Sequence, residues 1–403
     1  MPGKWEVLVL LWFAYFFYQA DKQIYAVVLV PLQAELGLSG AEAGLVNTVF
    51  TLVAAVVAPL AGALGDRMPK ARVLSVVVLA WSLGTMSSAI AGGLAMMLLT
   101  RSILTGAAEA FYPPISHAYL AEVHTATRAL AISIHQSAQY GGPIASGYVA
   151  GWIAEHYGWR YSFVVFGGLG ALLVGWMLWR MPRVEVGSFG EPLWAGFAHC
   201  VRIAAVRRLG LAFAAELFVT IGYSTWAPTI FGKQFGLSLS QAGFQTSFWS
   251  LASAMVGALV GGALSDRMAA RGRPRVILQA VALAAAVPFL WLLGVATTLP
   301  VALFALAATG IFRGVYEGTI AVTLYDYVDA KYRSSAAAVV LVIANLLAAP
   351  SAALLGWAGD RASLGLAVSG LSVFFAVGAG VLFSVRKLER ETRIELATNS
   401  LEG

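Results

Sequence analysis

The sequence predicts an all-α membrane protein: twelve transmembrane helices in two pseudo-symmetric six-helix bundles. Three observations lead there. First, of 403 residues 59% are hydrophobic and 11% charged, with a mean hydropathy of +0.78, whereas soluble domains carry about 25% charge. Second, the apolar residues fall into long, nearly unbroken runs. Third, the two halves of the chain repeat one another. This composition excludes a water-soluble enzyme, a disordered chain and a secreted disulfide scaffold. The lone Cys200 permits no intrachain disulfide. A membrane β-barrel is disfavoured, because its strands alternate apolar and polar residues.

A hydrocarbon core of about 30 Å needs roughly 20 apolar residues per helix. On that ruler the spans are 7–32, 43–65, 73–91, 94–120, 129–152, 161–179, 209–231, 241–265, 276–294, 299–325, 334–357 and 363–385. Each must be helical, since lipid offers backbone N–H and C=O groups no partner. The first stretch has no small-residue cleavage site and exceeds the apolar core of a signal peptide, so it reads as a span. With the N-terminus inside, Lys and Arg divide twenty to three between inner and outer segments. That asymmetry predicts cytoplasmic termini in a multi-pass inner (cytoplasmic) membrane protein. The net charge of +6 is accounted for by these loops and implies no nucleic-acid partner. The segment 180–208, with Trp194 and Phe197 among charged residues, reads as a linker holding a short interfacial helix. The predicted domains are therefore a bundle at 1–179, the linker at 180–208, a bundle at 209–385 and a tail at 386–403.

The repeat has an offset of about 200 residues. Gly37-Leu38-Ser39 and Ala43-Gly44 after the first span return as Gly236-Leu237-Ser238 and Ala242-Gly243 after the seventh. Gly62-Ala63-Leu64-Gly65-Asp66-Arg67-Met68 returns as Gly262-Ala263-Leu264-Ser265-Asp266-Arg267-Met268. Gly106-Ala107-Ala108-Glu109 is echoed by Gly314-Val315-Tyr316-Glu317. Duplicated six-span units are how many secondary transporters are built, with the substrate held near mid-membrane.

The motif Gly62-x-x-x-Asp66-Arg67-x-Pro69-Lys70-x-Arg72 resembles the G-x-x-x-D-R-x-G-R-R signature of the major facilitator superfamily, with Pro69 in place of the usual glycine. Gly141-Gly142-Pro143 and Gly147 resemble its glycine–proline motif in span five. The second copy of the signature ends Arg271-Gly272-Arg273. Within the superfamily, Tyr18-Gln19-Ala20-Asp21-Lys22-Gln23 is similar to the Y-x-x-D-R-Q of the anion:cation symporter and Spinster-like branches, and Gly106-x-x-Glu109-Ala110-x-Tyr112-x-Pro114 to their G-x-x-E-A with a following proline. Tyr157-Gly158-Trp159-Arg160 looks like a wider superfamily element.

Seven ionisable residues fall inside spans: Asp21, Lys22, Arg101, Glu109, Glu216, Arg313 and Glu317. Each costs roughly 2.5–3.5 kcal/mol or more at a helix centre and marks function by default. The plain alternative is mutual neutralisation, strongest for Arg313 and Glu317, which meet at i and i+4. Lys22 points about 100° from Asp21 and is not its natural partner. A carboxylate held away from water can change protonation near neutral pH, which makes Asp21 and Glu109 proton-coupling candidates. In the families resembled, the matching acids are implicated in that role. The same families place an arginine four residues before the glycine matching Gly106; here Arg101 stands five before it, an offset that rotates it by about 100°. Arg313 is then the better-placed cation for a carboxylate or phosphate. Glu216 has no clear counterpart in the families; a pair with Arg313 or a polar neighbour is expected. His117 and His135 are expected to make local hydrogen bonds.

Substrate-contact candidates are Lys22, Arg101, Arg313, Glu317, Tyr112, Tyr140, Tyr223, Tyr316 and Asn345, with Trp226 also considered. Gating candidates are Gly62, Asp66, Arg67, Arg72, Gly262, Asp266 and Arg267, where an ion pair can form in one state and break in another. The expected function is proton-coupled transport of a small organic anion, a carboxylate or sugar acid, by a monomer working through alternating access. The alternatives are a Spinster-like lipid or lysolipid transporter, a drug/proton antiporter, and a membrane-embedded enzyme or sensor. No nucleotide-binding G-x-x-x-x-G-K-[ST], no metal centre and no hydrolase constellation is found. No cofactor is expected, the proton gradient being the energy source.

Overall fold

The protein is described by a computed structural model covering residues 3–65, 69–125, 127–181, 193–329 and 332–399. The described chain is built from helices: α1 (Lys4–Val27), α2 (Leu29–Leu36), α3 (Gly40–Gly65), α4 (Lys70–Ser88), α5 (Leu94–Met97), a π-helical turn (Leu98–Thr105), α6 (Gly106–Ala110), α7 (Tyr112–Val123), α8 (Arg128–Tyr157), α9 (Trp159–Arg180), α10 (Leu193–Arg202), α11 (Ala204–Phe235), α12 (Leu239–Ala270), α13 (Val276–Val295), α14 (Leu299–Glu317), α15 (Ile320–Tyr325), α16 (Arg333–Ala348), α17 (Ser351–Arg361) and α18 (Leu364–Asn399).

Prolines explain several interruptions. Pro31 has no N–H to return to Val27, and the chain breaks at Val28 between α1 and α2. Pro113 and Pro114 do the same for Glu109 and Ala110, and the break falls at Phe111. Pro350 separates α16 from α17.

Among the described residues, nine helical segments are long and apolar enough to cross a bilayer. Three further helices, α1, α8 and α11, have 24, 30 and 32 residues and coincide with the other predicted stretches. They fall short in apolarity because they carry polar groups mid-helix: Asp21 and Lys22, His135 and Gln136, Glu216 and Thr220. The less apolar helices are thus the ones holding several candidate residues. Outward faces are apolar, with Leu172 75%, Trp179 79% and Leu259 72% exposed, as lipid rather than water requires.

By contact the chain forms two compact units. One comprises Met1–Glu191, Gly222–Phe248 and Ala349–Leu364; the other comprises Pro192–Ile221, Trp249–Ala348 and Gly365–Gly403. In the first unit the repeat is visible as geometry. Gly37 and Gly236 both end a helix with positive φ, 64° and 67°, a conformation that suits glycine. Each is followed by a reciprocal cap. The backbone N–H of Ser39 donates to Glu42 and that of Glu42 to the Ser39 hydroxyl; Ser238 and Gln241 do likewise.

The starts of these two helices are also capped from afar, in matching fashion. Gly40 N–H and Ala41 N–H donate to Asp360 of α17 at 2.9 and 3.0 Å, and Ser240 N–H donates to Glu155 of α8 at 2.7 Å. Each carboxylate sits on a helix N-terminus, where orphan N–H groups and the helix dipole favour negative charge. Close backbone contact brings the partners this near. A Cβ on Gly147 would lie 2.5 Å from the Gly243 carbonyl oxygen, so only glycine lets α8 and α12 meet there. Charge-neutral variants should loosen this end. In a Cys200→Ser background with spin labels at Tyr157→Cys and Gln241→Cys, both exposed, Glu155→Gln with Asp360→Asn should shift the distance distribution to longer values. The loss is about 0.3–1 kcal/mol per helix start, the worth of a negative charge there. An unchanged distribution would show that the carboxylates do not hold this end closed.

At the same end of α2, Glu35 accepts from Trp159 Nε1 at 2.6 Å and from Arg160 Nη2 at 2.7 Å, while Arg160 Nη1 donates to the Ala89 and Ala91 carbonyls. The Trp159 bond, then the Arg160 bond, hold the Glu35 carboxyl below its ordinary pKa. A depressed pKa contributes stability that is present above the unfolded value and lost as pH falls through the folded one. The difference in thermal stability between the protein and its Glu35→Gln variant should therefore shrink on acidification; a difference independent of pH counts against this pairing.

In the second unit α10 packs on the start of α16. His199 stacks on Tyr332 with ring centroids 4.3 Å apart, and Cys200 Sγ donates to the Tyr332 carbonyl at 3.7 Å. A short helix thus lies at Leu193–Arg202, and residues 182–192 lie outside the described ones.

Candidate functional site

In the first unit, α1, α4 and the helix running from the π-turn into α6 bring four charged residues together. Asp21 is 3% exposed and Arg101 2%. Arg101 Nη1 stands 2.9 Å from Asp21 Oδ2, and Arg101 Nη2 donates to the Asp21 backbone carbonyl. Thr85 Oγ1 donates to Asp21 Oδ1 at 2.7 Å. The guanidinium also lies over the Phe50 ring, 4.5 Å from its centroid.

This geometry corrects the displacement expected for Arg101. The residue in excess of the family spacing falls in the π-helical turn Leu98–Thr105. A π-turn closes its hydrogen bonds from i to i+5 and absorbs one residue locally. The Thr105 hydroxyl donates to the Thr100 carbonyl five residues back. Arg101 thereby faces Asp21 instead of being turned away, and its charge is engaged there.

Glu109 follows on α6, 1% exposed, with Asp21, Lys22 and Arg101 as its charged neighbours. Neither carboxylate oxygen has a hydrogen-bond partner. Lys22 is different: it is exposed, and its ammonium lies over the Tyr18 ring at 3.9 Å from the centroid. Among the described residues it forms no ion pair, so it is a cation held on an aromatic face and open to an anion.

The surrounding aromatics pack on one another, Tyr15 stacked on His135 at 4.6 Å and on Tyr18 at 5.5 Å, and Tyr112 edge-on to Trp81 at 5.3 Å. Tyr112 donates to the Leu11 carbonyl at 2.6 Å and stands 3.1 Å from His135 Nε2, the local bond expected of that histidine. His117 packs edge-on to His135 at 5.5 Å.

The second unit holds a separate cluster. Glu216 of α11 is fully buried and accepts from Thr220 Oγ1 at 2.6 Å. Arg313 Nε stands 3.7 Å from Glu317 Oε1, the i,i+4 pair foreseen, and Arg313 Nη1 donates to Thr220 at 3.5 Å. The polar neighbour of Glu216 is thus Thr220, with Arg313 and Glu317 adjoining.

The other candidates are placed variously. Tyr112 and Tyr316 are 0% and 1% exposed, packed among helices, so neither presents its ring to a solute in this state. Tyr223 and Trp226 are also buried, and Trp226 donates to the Ala352 carbonyl. Tyr140 and Asn345 are half-buried, and Asn345 donates to the Leu341 carbonyl one turn back.

Of the gating residues, Asp66 and Arg67 lie outside the described residues, as do the surroundings of Gly62. Arg72 and Arg267 are exposed, and Gly262 faces open space. Asp266, 81% exposed, is 3.9 Å from Arg275, whose close partner is Asp326 at 2.7 Å. Sequence reasoning missed Arg275–Asp326 and Thr85. The buried stripe Ser82, Thr85 and Ser88 at three-residue spacing on α4 is the signal that could have found the latter.

The profile of the Major Facilitator Superfamily matches residues 11–352. The chain belongs to the major facilitator superfamily. The probable sulfoacetate transporter SauU of Cupriavidus necator is 27% identical over 286 residues, 65% of each chain, so the match spans just under two thirds of that relative. Protein spinster homolog 1 of Homo sapiens is 29% identical over 93% of this chain and 77% of its own. The D-galactonate transporter of Escherichia coli is 26% identical over 67% and 69%. Among solved structures, a bacterial homologue of the lysosomal transporter Spinster, inward-facing and unoccupied, superposes with a TM-score of 0.83 at 20% identity, covering 96% and 98% of the two chains. At that identity the likeness establishes the fold. The relatives are transporters, not enzymes.

Proposed function

We propose that this superfamily member is a proton-coupled secondary transporter of a small organic anion, working by alternating access with the proton gradient as its only energy source. The observation that carries the reading is Glu109, fully buried and without a hydrogen-bond partner, beside the Asp21–Arg101 pair and the accessible Lys22. An ionised carboxylate so placed is unstable unless compensated, since burying an ion costs several kcal/mol. A proton on Glu109 removes that charge. An anion at Lys22 changes the local charge by one unit in the opposite sense. Binding of one therefore favours binding of the other, and the doubly loaded cluster holds no more net charge than the empty one. That linkage is what co-transport requires. Arg101, paired with Asp21, acts on the field around Glu109; Lys22 is the group left to meet substrate. Arg313 and Glu317 are the corresponding substrate-contact candidates of the second unit.

The same reading places twelve helices across an inner membrane in a monomer with cytoplasmic termini. The end where Asp360 and Glu155 cap α3 and α12 then faces outside. Relatives named for sulfoacetate, D-galactonate and gallate support a carboxylate or sulfonate cargo. The second reading, a Spinster-like lipid transporter, is favoured by the length of the match to protein spinster homolog 1. A drug/proton antiporter fits less well, because its cargo is usually cationic and Lys22 would repel it.

Proteoliposomes with an internal pH dye and an external panel of sugar acids, sulfonates, aromatic acids and lysolipids separate these readings. An acid-specific proton signal supports the first. A response to lysolipids alone supports the second and overturns the first.

A further inference from the structure

We infer that Glu216 and Glu317 together bind one exchangeable proton, forming a proton site in the second half of the chain that is separate from Glu109. The argument is charge balance at a buried site and does not depend on which solute the chain moves. In the first unit, Asp21 and Glu109 are matched by Arg101 and Lys22. In the Glu216 cluster two acids meet one base, Arg313. With all three ionised, one negative charge is left inside a span.

Among the described residues, Arg313 is the positive group placed beside Glu216. From α14 it is faced by Arg313, Glu317 and the phenol of Tyr316. Among the described residues of this unit, α11 otherwise meets apolar side chains around Glu216, and farther along it Arg208 donates to the Ser384 carbonyl. Phe374 of α18 stacks on Phe218 at 4.0 Å, Gly378 of α18 lies against Ala215, and Ile343 of α16 lies against Gly210. On Glu216 itself Oε1 is occupied by the Thr220 hydroxyl, while Oε2 is buried with no partner. Two carboxylates in one site cannot both ionise cheaply, so they share a proton. Oε2 is the atom free to carry it.

The proton also has a route. Glu317 is 35% exposed at its side chain while Glu216 is fully buried. Hydronium gives its proton to a Glu317 oxygen and becomes water, and the proton then passes to Glu216 Oε2. The acid pair goes from two negative charges to one, and with Arg313 the cluster becomes neutral.

Infrared difference spectroscopy of the purified full-length protein tests the site without any transport assay. The wild-type protein should show a protonated-carboxyl band at neutral pH that titrates away at alkaline pH. Glu216→Gln, nearly isosteric, should remove that band. Glu317→Gln leaves Glu216 alone with Arg313, so Glu216 should ionise and its band should vanish at neutral pH and return on acidification. Size-exclusion profiles matching wild type establish that both variants fold. A band unaltered in Glu216→Gln overturns the site. A band lost in Glu216→Gln but unmoved by Glu317→Gln overturns the sharing. A band abolished in wild type by adding sodium chloride at fixed pH assigns the site to a metal cation and overturns the proton. A failed anion screen alongside these infrared results would leave the site standing and remove only the transport reading.

Discussion

Glu109→Gln abolishes proton-driven accumulation of the anion while leaving its exchange across the membrane intact. The glutamine keeps the shape of the side chain and removes the titration. Neither Glu109 oxygen accepts a hydrogen bond, so the substitution leaves no donor stranded. With the membrane potential clamped, each proton coupled across a gradient of about one pH unit supplies about 1.4 kcal/mol, or roughly tenfold accumulation. The variant should accumulate none from that gradient, yet should exchange internal for external labelled substrate, because its cluster mimics the protonated, reorienting form. Accumulation equal to wild type would remove Glu109 from the coupling mechanism. Loss of both activities would indicate a damaged binding site instead.

Arg101→Ala destabilises the protein by about 3–5 kcal/mol, the cost of leaving one member of a buried ion pair uncompensated. Asp21 and Arg101 are 3% and 2% exposed and 2.9 Å apart. Removing the guanidinium takes away the close cation of the carboxylate and leaves it the Thr85 hydroxyl bond. The double variant Asp21→Leu with Arg101→Met should recover most of the stability, since replacing a whole buried pair by apolar groups is often neutral. Thermal unfolding in detergent reads both. A small effect of Arg101→Ala, or no recovery in the double variant, would mean that the pair is solvated in the membrane.

The dependence of this pair on the π-turn shows where reading along the chain stops. The spacing of Arg101 from Gly106 is a plain sequence fact, and on an ideal helix it turns the arginine away from its expected direction. The turn at Leu98–Thr105 restores it, and nothing in those eight residues announces a π rather than an α hydrogen-bond pattern. The choice is made by packing, because an arginine inside a bundle must meet a carboxylate. Tyr112 and Tyr316 illustrate the same limit. Their residue type suits a binding wall, but their burial is decided by which face of the helix its neighbours cover.

Composition, apolar run length, the 200-residue repeat and the seven intramembrane charges are local properties of the chain. They point to a helical, membrane-embedded and duplicated chain, because lipid permits no unpaired backbone and penalises each charge wherever it sits; that it belongs to a transporter superfamily rests on the match over residues 11–352. Tertiary structure alone decided the partners. It put Thr85 and Arg101 on Asp21, left Glu109 without a hydrogen bond, joined Glu216 to the Arg313–Glu317 pair, and set Asp360 and Glu155 on helix starts far away in sequence. Each of these depends on helix rotation and crossing, which side-chain packing over the whole bundle sets and no single segment encodes.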